Sequence, residues 1–376
     1  MEPFLAGPRQ GNAGSAHAAG RTARAAIEAA RADVALLAGC DAAEIVFTSG
    51  GTESLNLAVK GLARARRDGS RGALRRIVTT SIEQLAVLHP LVTLEREGFE
   101  IVRLAVGVSG LLDPERTIGA LDDRTALLVT HHANHEVGVV QPVAAIAAGA
   151  RARGIPVACD ATASAGLLSI EAGSLNADLV AISAHRFGGP KGAGALRIAA
   201  GTRLRPEIEG GAQEGGLRAG TENVAAIVGM GVAAWLARAE LLDASRRLEA
   251  LGARLRDGIV SRVRDVRVTS PARGGLPGLV SAVVRGLDGD ALLALLDEEG
   301  IAASSGSACA TGAGKPSHVL LALGIPPDEA RGSLLLSLGR ENRDGEVDRF
   351  LAILPHLVER LRRLWWDRGA ESDGAR

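Results

Sequence analysis

Short apolar segments rich in β-branched residues alternate with amphipathic helices between residues 44 and 198, and this alternation constrains the fold more than any other feature. Continuous apolar strands separated by crossover helices are typical of a mainly parallel sheet that is covered by helices on both faces. The sequence therefore predicts an α/β fold with about seven strands. The predicted strands are Glu44–Ser49, Arg76–Thr80, Glu100–Leu104, Thr125–Thr130, Pro156–Asp160, Asp178–Ser183 and Ala195–Ile198.

The remainder of the chain predicts a second, smaller domain. A long helix is expected from about residue 223 to residue 257, and strand and helix patterns are mixed after it in the manner of an α+β domain. We therefore expect a short N-terminal segment over residues 1–20, a large domain over 21–240 and a small C-terminal domain over 241–376.

Charge and cysteine usage exclude several classes of function. The 43 basic and 43 acidic side chains cancel, so the chain has no excess of positive charge for nucleic acid or anionic membranes. No apolar run is expected to be long enough to span a membrane, and no secretory signal is recognisable. Cys40, Cys159 and Cys309 lie far apart, which argues against a disulfide framework or a metal site and favours the reducing cytoplasm.

Lysine is scarce in a chain that uses arginine freely. Lys60, Lys191 and Lys315 are the three lysines of the sequence. Any chemistry that requires an amine nucleophile therefore has three candidates.

Three segments carry candidate chemistry, and each has a plainer interpretation. Residues 48–54, Thr-Ser-Gly-Gly-Thr-Glu-Ser, join a strand to a helix and suit an anion, although an ordinary turn with a helix cap has the same pattern. Asp160 ends an apolar strand, where open sheets bind ligands or where a carboxylate caps a helix. Cys309 lies in a Gly/Ser-rich segment and is either a sulfur nucleophile or an incidental small residue.

Six motifs occur in one order along the chain. They are Glu44-Ile-Val-Phe-Thr-Ser-Gly-Gly-Thr-Glu-Ser54, His132-Ala-Asn-His-Glu-Val-Gly-Val-Val-Gln141, Asp160-Ala-Thr, Ser183-Ala-His185 with Gly189-Pro-Lys-Gly192, Arg218-Ala-Gly-Thr-Glu-Asn223 and Ser304-Ser-Gly-Ser-Ala-Cys309. With these motifs the chain resembles the cysteine desulfurases of the NifS/IscS type, which are pyridoxal phosphate (PLP) enzymes of the class V aminotransferase group. The resemblance extends from about residue 11 to about residue 365, and the family's N-terminal strand has no counterpart before it.

This resemblance implies PLP fold type I, PLP as the cofactor and a set of contacts. The phosphate would be held by Gly51 and Thr52, the pyridine nitrogen by Asp160, and Thr221 would reach the phosphate from another subunit. Cys309 would accept sulfur from substrate cysteine as a persulfide, which leaves alanine. The cofactor-binding positions implied in all are Gly51, Thr52, His135, Asp160, Ser183, His185 and Thr221.

Several positions depart from the family pattern. Arg186 occupies the place of the lysine that binds PLP covalently, and a guanidinium is not an amine nucleophile. Lys191 lies in the Gly-Pro-Lys-Gly segment that the family has in addition to its catalytic lysine. Four further replacements affect the ring-stacking His, the Gln near the PLP hydroxyl, the second Asn of Asn-Asn-Glu and the Arg that binds the substrate carboxylate; they are Gln84, Ala163, His135 and Leu335.

The pattern of losses predicts a desulfurase homologue that is degenerate in PLP chemistry. It would act as a subunit of a homodimer or of a heterodimer with an active homologue, or deliver sulfur through Cys309 to an acceptor or an iron–sulfur scaffold. Two alternatives remain open. One is an active PLP-dependent desulfurase that uses another lysine, and the other is a non-catalytic binding scaffold.

Overall fold

The computed structural model of the chain describes the backbone of residues 1–6, 11–306 and 315–373, and the side chains of these ranges up to residue 363. The chain divides into two compact units. The first comprises Met1–Ala105, Leu112–Ala133 and Gln141–Leu241, and the second comprises Val106–Leu111, Asn134–Val140 and Leu242–Arg376.

The first unit is an α/β structure whose strands and helices alternate along the chain. Its strands are β1 (Ile45–Thr48), β2 (Arg76–Thr80), β3 (Glu100–Leu104), β4 (Thr125–His131), β5 (Val157–Asp160), β6 (Leu179–Ser183) and β7 (Gly194–Ile198). Its helices before residue 224 are α1 (Glu2–Leu5), α2 (Ala18–Ala38), α3 (Gly51–Asn56), α4 (Leu62–Gly69), α5 (Leu85–Arg96), α6 (Pro114–Gly119), α7 (Val143–Arg151) and α8 (Ala172–Leu175).

These seven strands form one sheet in the order β1-β7-β6-β5-β4-β2-β3. The four pairings among β2, β3, β4, β5 and β6 are parallel, and β7 runs antiparallel to both of its neighbours. The predicted α/β fold with a mainly parallel seven-stranded sheet is therefore confirmed.

Burial on both faces explains why the central strands are apolar throughout. All seven residues of β4 and all five of β6 are buried. Helices α3, α4 and α5 supply Leu55, Leu62 and Leu91 to a core that includes Leu127 and Leu196 of the sheet. Parallel strands covered by helices place their carboxyl ends on one edge, where the connecting turns gather polar residues.

A helix of 39 residues, α9 (Val224–Arg262), begins in the first unit and continues into the second. By length and composition alone it could cross a membrane, because one window of 18 residues has a mean hydropathy of 1.5. The expectation that no segment is long and apolar enough is therefore wrong for this helix. Of the apolar window, 39% is buried. The buried residues of its early part include Ala225, Ala226, Ile227, Met230, Ala233 and Ala234.

The second unit is a small α+β structure. It contains a three-stranded antiparallel sheet in the order β10-β9-β8, formed by β8 (Val266–Val268), β9 (Leu279–Val284) and β10 (Ser333–Ser337). Its core joins Ile259 of α9 to Val284 and Leu354. Its further helices are α10 (Gly289–Glu298), α11 (His318–Ala322), α12 (Pro327–Ala330) and α13 (Asp344–Asp373).

Gly194 offers a test of how closely β7 packs on the turn after β1. A Cβ at Gly194 would lie 2.6 Å from the Cα and carbonyl carbon of Gly50, which is backbone and cannot rotate away. We expect Gly194→Ala to destabilise the protein by about 1–3 kcal/mol through overpacking. The matched control is Gly69→Ala at the end of α4, where a Cβ meets nothing within 4 Å.

Thermal and urea unfolding of both variants measure the difference. The control substitution is expected to be neutral or slightly stabilising, since alanine restricts the unfolded chain. Equal midpoints for the two variants would contradict the close approach.

Candidate active site

A glycine turn between β1 and α3 forms one side of the candidate site. Gly50 has φ +152°, which side-chain-bearing residues rarely adopt, and the Thr48 Oγ1 hydroxyl lies 2.8 Å from Ser54 Oγ across the turn. A Cβ at Gly51 would lie 2.6 Å from Thr162 Cγ2 and 3.3 Å from Ser183 Cβ. Glycine at position 51 therefore brings the start of α3 against the residues that follow β5 and end β6.

The start of α3 leaves three backbone donors available. The first N–H of this helix with an acceptor is that of Ser54, which donates to the Gly50 carbonyl oxygen at 3.1 Å. Within the described part of the chain, the N–H groups of Gly51, Thr52 and Glu53 have no acceptor. Unpaired N–H groups at a helix start bind anions well, and Thr52 is exposed.

Ser183 and His185 lie beside this turn at the end of β6. The Ser183 Oγ atom is 3.0 Å from His185 Nδ1. Partial burial, with the positive charges of Arg186 and Lys191, lowers the pKa of His185, so its imidazole is neutral at neutral pH. A hydroxyl and a neutral imidazole can both donate hydrogen bonds to a phosphate.

Asp160 ends β5 with its side chain buried, being only 4% exposed. Its Oδ1 accepts the backbone N–H of Thr162 at 2.9 Å, and its Oδ2 accepts a hydrogen bond from Gln84 Nε2. The same Gln84 nitrogen donates to Thr162 Oγ1 at 3.1 Å. Burial raises the pKa of Asp160, against the opposing effect of the hydrogen bonds from Thr162 and Gln84.

A buried carboxylate–imidazole pair lies next to Asp160. His131 of β4 is in register with Asp160, and its Nδ1 is 2.8 Å from Glu83 Oε1. Burial acts to lower the pKa of His131, but the charge and hydrogen bond of Glu83 raise it overall, with a smaller contribution from Asp160. The Gln141 Nε2 amide, which can only donate, lies 3.2 Å from His131 Nε2, so His131 accepts through Nε2 and donates through Nδ1 to Glu83.

His132, the next residue, is in a different state. Its Nδ1 is 2.9 Å from Ser164 Oγ, and burial, with the nearby charge of His131, lowers its pKa to about 4. His132 is therefore neutral at neutral pH and acts as a hydrogen-bonding group.

Arg186, which the resemblance places at the position of the family lysine, is exposed. Within the described part of the chain, neither Arg186 nor the exposed Lys191 makes a hydrogen bond or ion pair. Lys60, on the helix after the glycine turn, forms an ion pair with Glu207, with 2.5 Å between Nζ and Oε2. The side chain of Lys315 is exposed and belongs to the second unit.

Thr221 is exposed and lines a cavity of about 120 Å³ beside the glycine turn. Ser49, Gly192 and Arg218 line the same cavity. Arg218 Nε donates to Glu53 Oε1 at 2.9 Å, and Glu53 Oε2 accepts the Ser49 N–H at 2.8 Å. The Arg218–Glu53 ion pair therefore connects the glycine turn to the segment that contains Thr221. The sequence pattern does not predict this pair, because the two residues are 165 positions apart along the chain.

The remaining predicted residues belong to the second unit or to undescribed positions. His135 lies in the loop Asn134–Val140, with its Nε2 3.5 Å from Glu136 Oε1. Leu335 lies in β10 and pairs with Ser304. Cys309 lies outside the described residues. The structure thus brings Gly51, Ser183 and Asp160 together within the first unit, with Gln84 as a partner of Asp160.

Comparison with known proteins identifies the family. A family model described as aminotransferase class-V matches residues 7–350. The cysteine desulfurase IscS of Methanosarcina thermophila is 42% identical over 354 residues, which cover 94% of this chain and 86% of that relative. The chain belongs to the cysteine desulfurases of the class-V aminotransferase family.

Other relatives agree with this membership. The IscS-like cysteine desulfurase of Mycobacterium tuberculosis is 42% identical over 359 residues, which cover 94% of this chain and 91% of that relative. A solved structure of a NifS-like protein matches with a TM-score of 0.87 at 34% identity, covering 96% of this chain and 94% of that one. Cysteine desulfurases are PLP-dependent, and the sheet has the organisation of their PLP fold type I.

The Arg218–Glu53 pair of this desulfurase homologue can be tested by substitution. Partial burial acts to raise the pKa of Glu53, but the bonds from Ser49 and Arg218 hold it below its usual value. The pair therefore stabilises the folded protein fully at pH values above the pKa that Glu53 has in the unfolded chain. This stabilisation is lost as the pH falls through the lower pKa that Glu53 has in the folded protein. We expect Arg218→Ala to cost about 1–2 kcal/mol near pH 7 and less near pH 4.

Arg205→Ala is the matched control, because Arg205 pairs with Asp68 at 2.6 Å but is 58% exposed. Its expected cost is below about 1 kcal/mol. Urea unfolding at both pH values distinguishes the variants, and equal losses for the two substitutions would contradict the structural role of the Arg218 pair.

Proposed function

We propose that this protein is a cysteine-desulfurase homologue that has lost covalent PLP catalysis and acts in sulfur transfer, as a partner subunit or as a sulfur carrier through Cys309. The single observation that carries the proposal is Arg186, an exposed guanidinium at the position of the family's PLP-binding lysine. A guanidinium stays protonated in proteins and does not attack an aldehyde as an amine does.

The residues of the first unit still suit non-covalent binding of PLP. The free N–H groups at the start of α3, with Ser183 and His185, are donors that match a phosphate. The buried carboxylate of Asp160 matches a protonated pyridine nitrogen. When bound, PLP would supply an electron sink at the substrate carbon, while these side chains bind and orient it.

Gln84 supports the loss of the ring-binding function. In this family a histidine stacks on the cofactor ring, whereas here the Gln84 amide donates to the Asp160 carboxylate and to Thr162. The amide thus satisfies a buried carboxylate that would otherwise need a ring nitrogen or water as its partner. Leaving the site without PLP therefore costs little folding free energy, which suits a scaffold that no longer depends on the cofactor.

Substrate binding is altered as well. The family's arginine that binds the substrate carboxylate is Leu335, a residue of β10 without a charge. An apolar side chain at that position provides no counter-ion for cysteine. Together with Arg186, this replacement affects the capture of both cofactor and substrate.

Cys309 is favoured as the sulfur carrier because the other two thiols are unreactive. Burial, with the charges of Glu44 and Asp41, raises the pKa of Cys40 to about 11. Such a thiol is ionised in roughly one molecule in ten thousand at pH 7, and the thiolate is the nucleophile. Cys159 is buried in β5, and burial, with the charges of Asp160 and Glu83, raises its pKa well above the usual value of a thiol.

The proposed role in sulfur transfer implies a second subunit and a protein that accepts the sulfur. Thr221 is exposed at the mouth of the cavity beside the glycine turn, in the position from which the family reaches a second subunit. We propose a homodimer or a heterodimer with an active homologue in the cytoplasm, and a sulfur acceptor or iron–sulfur scaffold as the recipient. The balanced charge of 43 basic and 43 acidic residues suits protein partners better than nucleic acid.

An active PLP-dependent desulfurase is the second candidate. Identity of 42% to cysteine desulfurase IscS of Methanosarcina thermophila and the retained glycine turn favour it. Lys191 is the exposed amine nearest in sequence to Arg186, so it is the lysine that this alternative requires.

Borohydride trapping of PLP separates the two candidates. Incubated with excess PLP and reduced, the wild-type protein is expected to carry no PLP on a lysine of the site, whereas Arg186→Lys is expected to be labelled at position 186. Peptide mass spectrometry reads the outcome. Labelling of wild type at Lys191 that disappears in Lys191→Ala, together with sulfur release, would establish the active enzyme.

Sulfur transfer through Cys309 has its own test. Loaded with persulfide by an active desulfurase, the wild-type protein is expected to carry sulfur at Cys309, and Cys309→Ser is expected to lose nearly all of it. Cys40→Ser is the matched control and is expected to behave as wild type, because its thiol is already un-ionised. Persulfide labelling that persists in Cys309→Ser would favour the non-catalytic scaffold.

A further inference from the structure

Two charged side chains bind the backbone of β1, which is the edge strand of the seven-stranded sheet. The Ile45 carbonyl oxygen accepts a bond from Arg31 Nη1 at 2.7 Å, and the Phe47 N–H donates to Glu214 Oε2 at 2.7 Å. The outer side of an edge strand presents such backbone groups unpaired unless another part of the chain binds them. Arg31 and Glu214 therefore take the hydrogen-bonding positions that a further strand would occupy.

Arg31 and Glu214 also bind each other. Arg31 Nη1 and Nη2 donate to Glu214 Oε2 and Oε1, both at 2.7 Å, and the two side chains are 11% and 3% exposed. The Arg31 guanidinium lies 4.8 Å from the centroid of the Phe47 ring, and its Nε donates to the half-exposed Glu28 at 3.0 Å. A bidentate pair is among the strongest polar contacts, and breaking a buried one leaves a charge without compensation. This pair therefore fixes Glu214 firmly to α2 and β1.

The backbone turns sharply where Glu214 reaches this edge. Glu214 has φ +48° and ψ +42°, in the left-handed region that side-chain-bearing residues rarely adopt. Gly215 and Gly216 follow with φ +65° and +79°. A left-handed residue other than glycine persists where the surrounding contacts hold it in place. The bonds from Arg31 and Phe47 are the contacts that hold Glu214.

The loop that carries Thr221, here the Thr221 loop (residues 213–221), closes back on this fixed point. The Gly220 N–H donates to Gln213 Oε1 at 3.1 Å, so the neighbours of Glu214 and of Thr221 bind each other. Glu214, Gly220 and Thr221 line the same cavity of about 120 Å³ beside the glycine turn. The place of Thr221 at that cavity therefore depends on where Gln213 and Glu214 are held.

We propose that Glu214 is a positioning residue that, fixed by Arg31 to the edge of the sheet, sets the place from which Thr221 reaches the phosphate site of a second subunit. The proposal rests on the dimer and the role of Thr221 that are proposed above. The Glu214 carboxylate is committed to Arg31 and to the Phe47 N–H, so it acts on the phosphate only through the Thr221 loop.

Hydrogen exchange of the full chain measures whether the loop depends on this anchor. The Leu217 N–H donates to the Glu214 carbonyl oxygen at 3.2 Å, and the Gly220 N–H donates to Gln213. In Glu214→Ala, these two amides are expected to exchange about tenfold faster or more, because the loop loses its buried ion pair. Arg31→Met removes the same pair from the other side and is expected to have the same effect, so it decides the question if Glu214→Ala does not fold.

Glu44 offers the matched control, because it is a carboxylate of the same unit in the same kind of environment. Its side chain is 15% exposed, its Oε2 accepts Arg197 Nε at 3.0 Å, and its Oε1 accepts the Ala200 N–H at 3.0 Å. Glu44→Ala is expected to destabilise the protein without changing exchange in the Thr221 loop. Equal acceleration of the loop in Glu44→Ala, or none in both Glu214→Ala and Arg31→Met, would overturn the anchor.

The preference for a phosphate group separates positioning from general stability. Pyridoxine 5′-phosphate and pyridoxine share a ring and lack the aldehyde, so neither reacts with a lysine, and calorimetry gives the ratio of their Kd values. In Thr221→Val and in Glu214→Ala this ratio is expected to fall about tenfold, the loss expected for one hydrogen bond to a charged group. The double variant is expected to lose no more than either single one, because both remove the same contact. Glu44→Ala is expected to keep the wild-type ratio.

The variants distinguish failure of this inference from failure of the proposed role of Thr221. A loss of phosphate preference in Thr221→Val that Glu214→Ala does not share, or additive losses in the double variant, would overturn the positioning role of Glu214. A wild-type protein without phosphate preference, or with the preference of Thr221→Val, would refute the role of Thr221, and hydrogen exchange alone would then decide whether Glu214 holds the loop.

Discussion

The structure of the candidate site depends on keeping one buried carboxylate, Asp160, stable at the carboxyl edge of the sheet. A charge removed from water is costly unless hydrogen bonds and opposite charges replace the lost solvation. Here the Thr162 N–H and the Gln84 amide bind the two oxygens, and His131, in register on the neighbouring strand, is hydrogen-bonded to the nearby carboxyl group of Glu83. The chain thus satisfies the buried carboxyl group of Asp160 with one of its own backbone N–H groups and one of its own side chains.

The sequence predicted the features that repeat along the chain. Strand β6 was expected over Asp178–Ser183 and lies over Leu179–Ser183, and the helix expected from about residue 223 begins at Val224. The position of Asp160 at the end of β5 was also predictable, because apolar β-branched runs mark buried strands and their ends mark the sheet edge. The glycines of the turn after β1 were expected to let the backbone approach a ligand, and the close packing of Gly51 on Thr162 and Ser183 was not expected.

Contacts between residues far apart in the sequence could not be predicted from local sequence patterns. A single glutamine after a glutamate is compatible with an exposed position, so the bond from Gln84 to Asp160 depends on how α5 is placed against β5. Glu136 looks like a loop carboxylate in the sequence, yet its loop packs with residues far along the chain. The apolar length of α9 was underestimated because isolated charges interrupt its run without preventing a long helix.

The central claim is that the fold and the cofactor cradle persist while the amine that performs the family's chemistry is gone. The most direct measurement is the amount of alanine that purified wild-type protein forms when it is supplied with PLP and excess L-cysteine. The amount is expressed in moles of alanine per mole of protein. The account predicts alanine at the level of PLP in buffer alone. Alanine formed in molar excess over the protein, and abolished when Cys309 is replaced by serine, would contradict it.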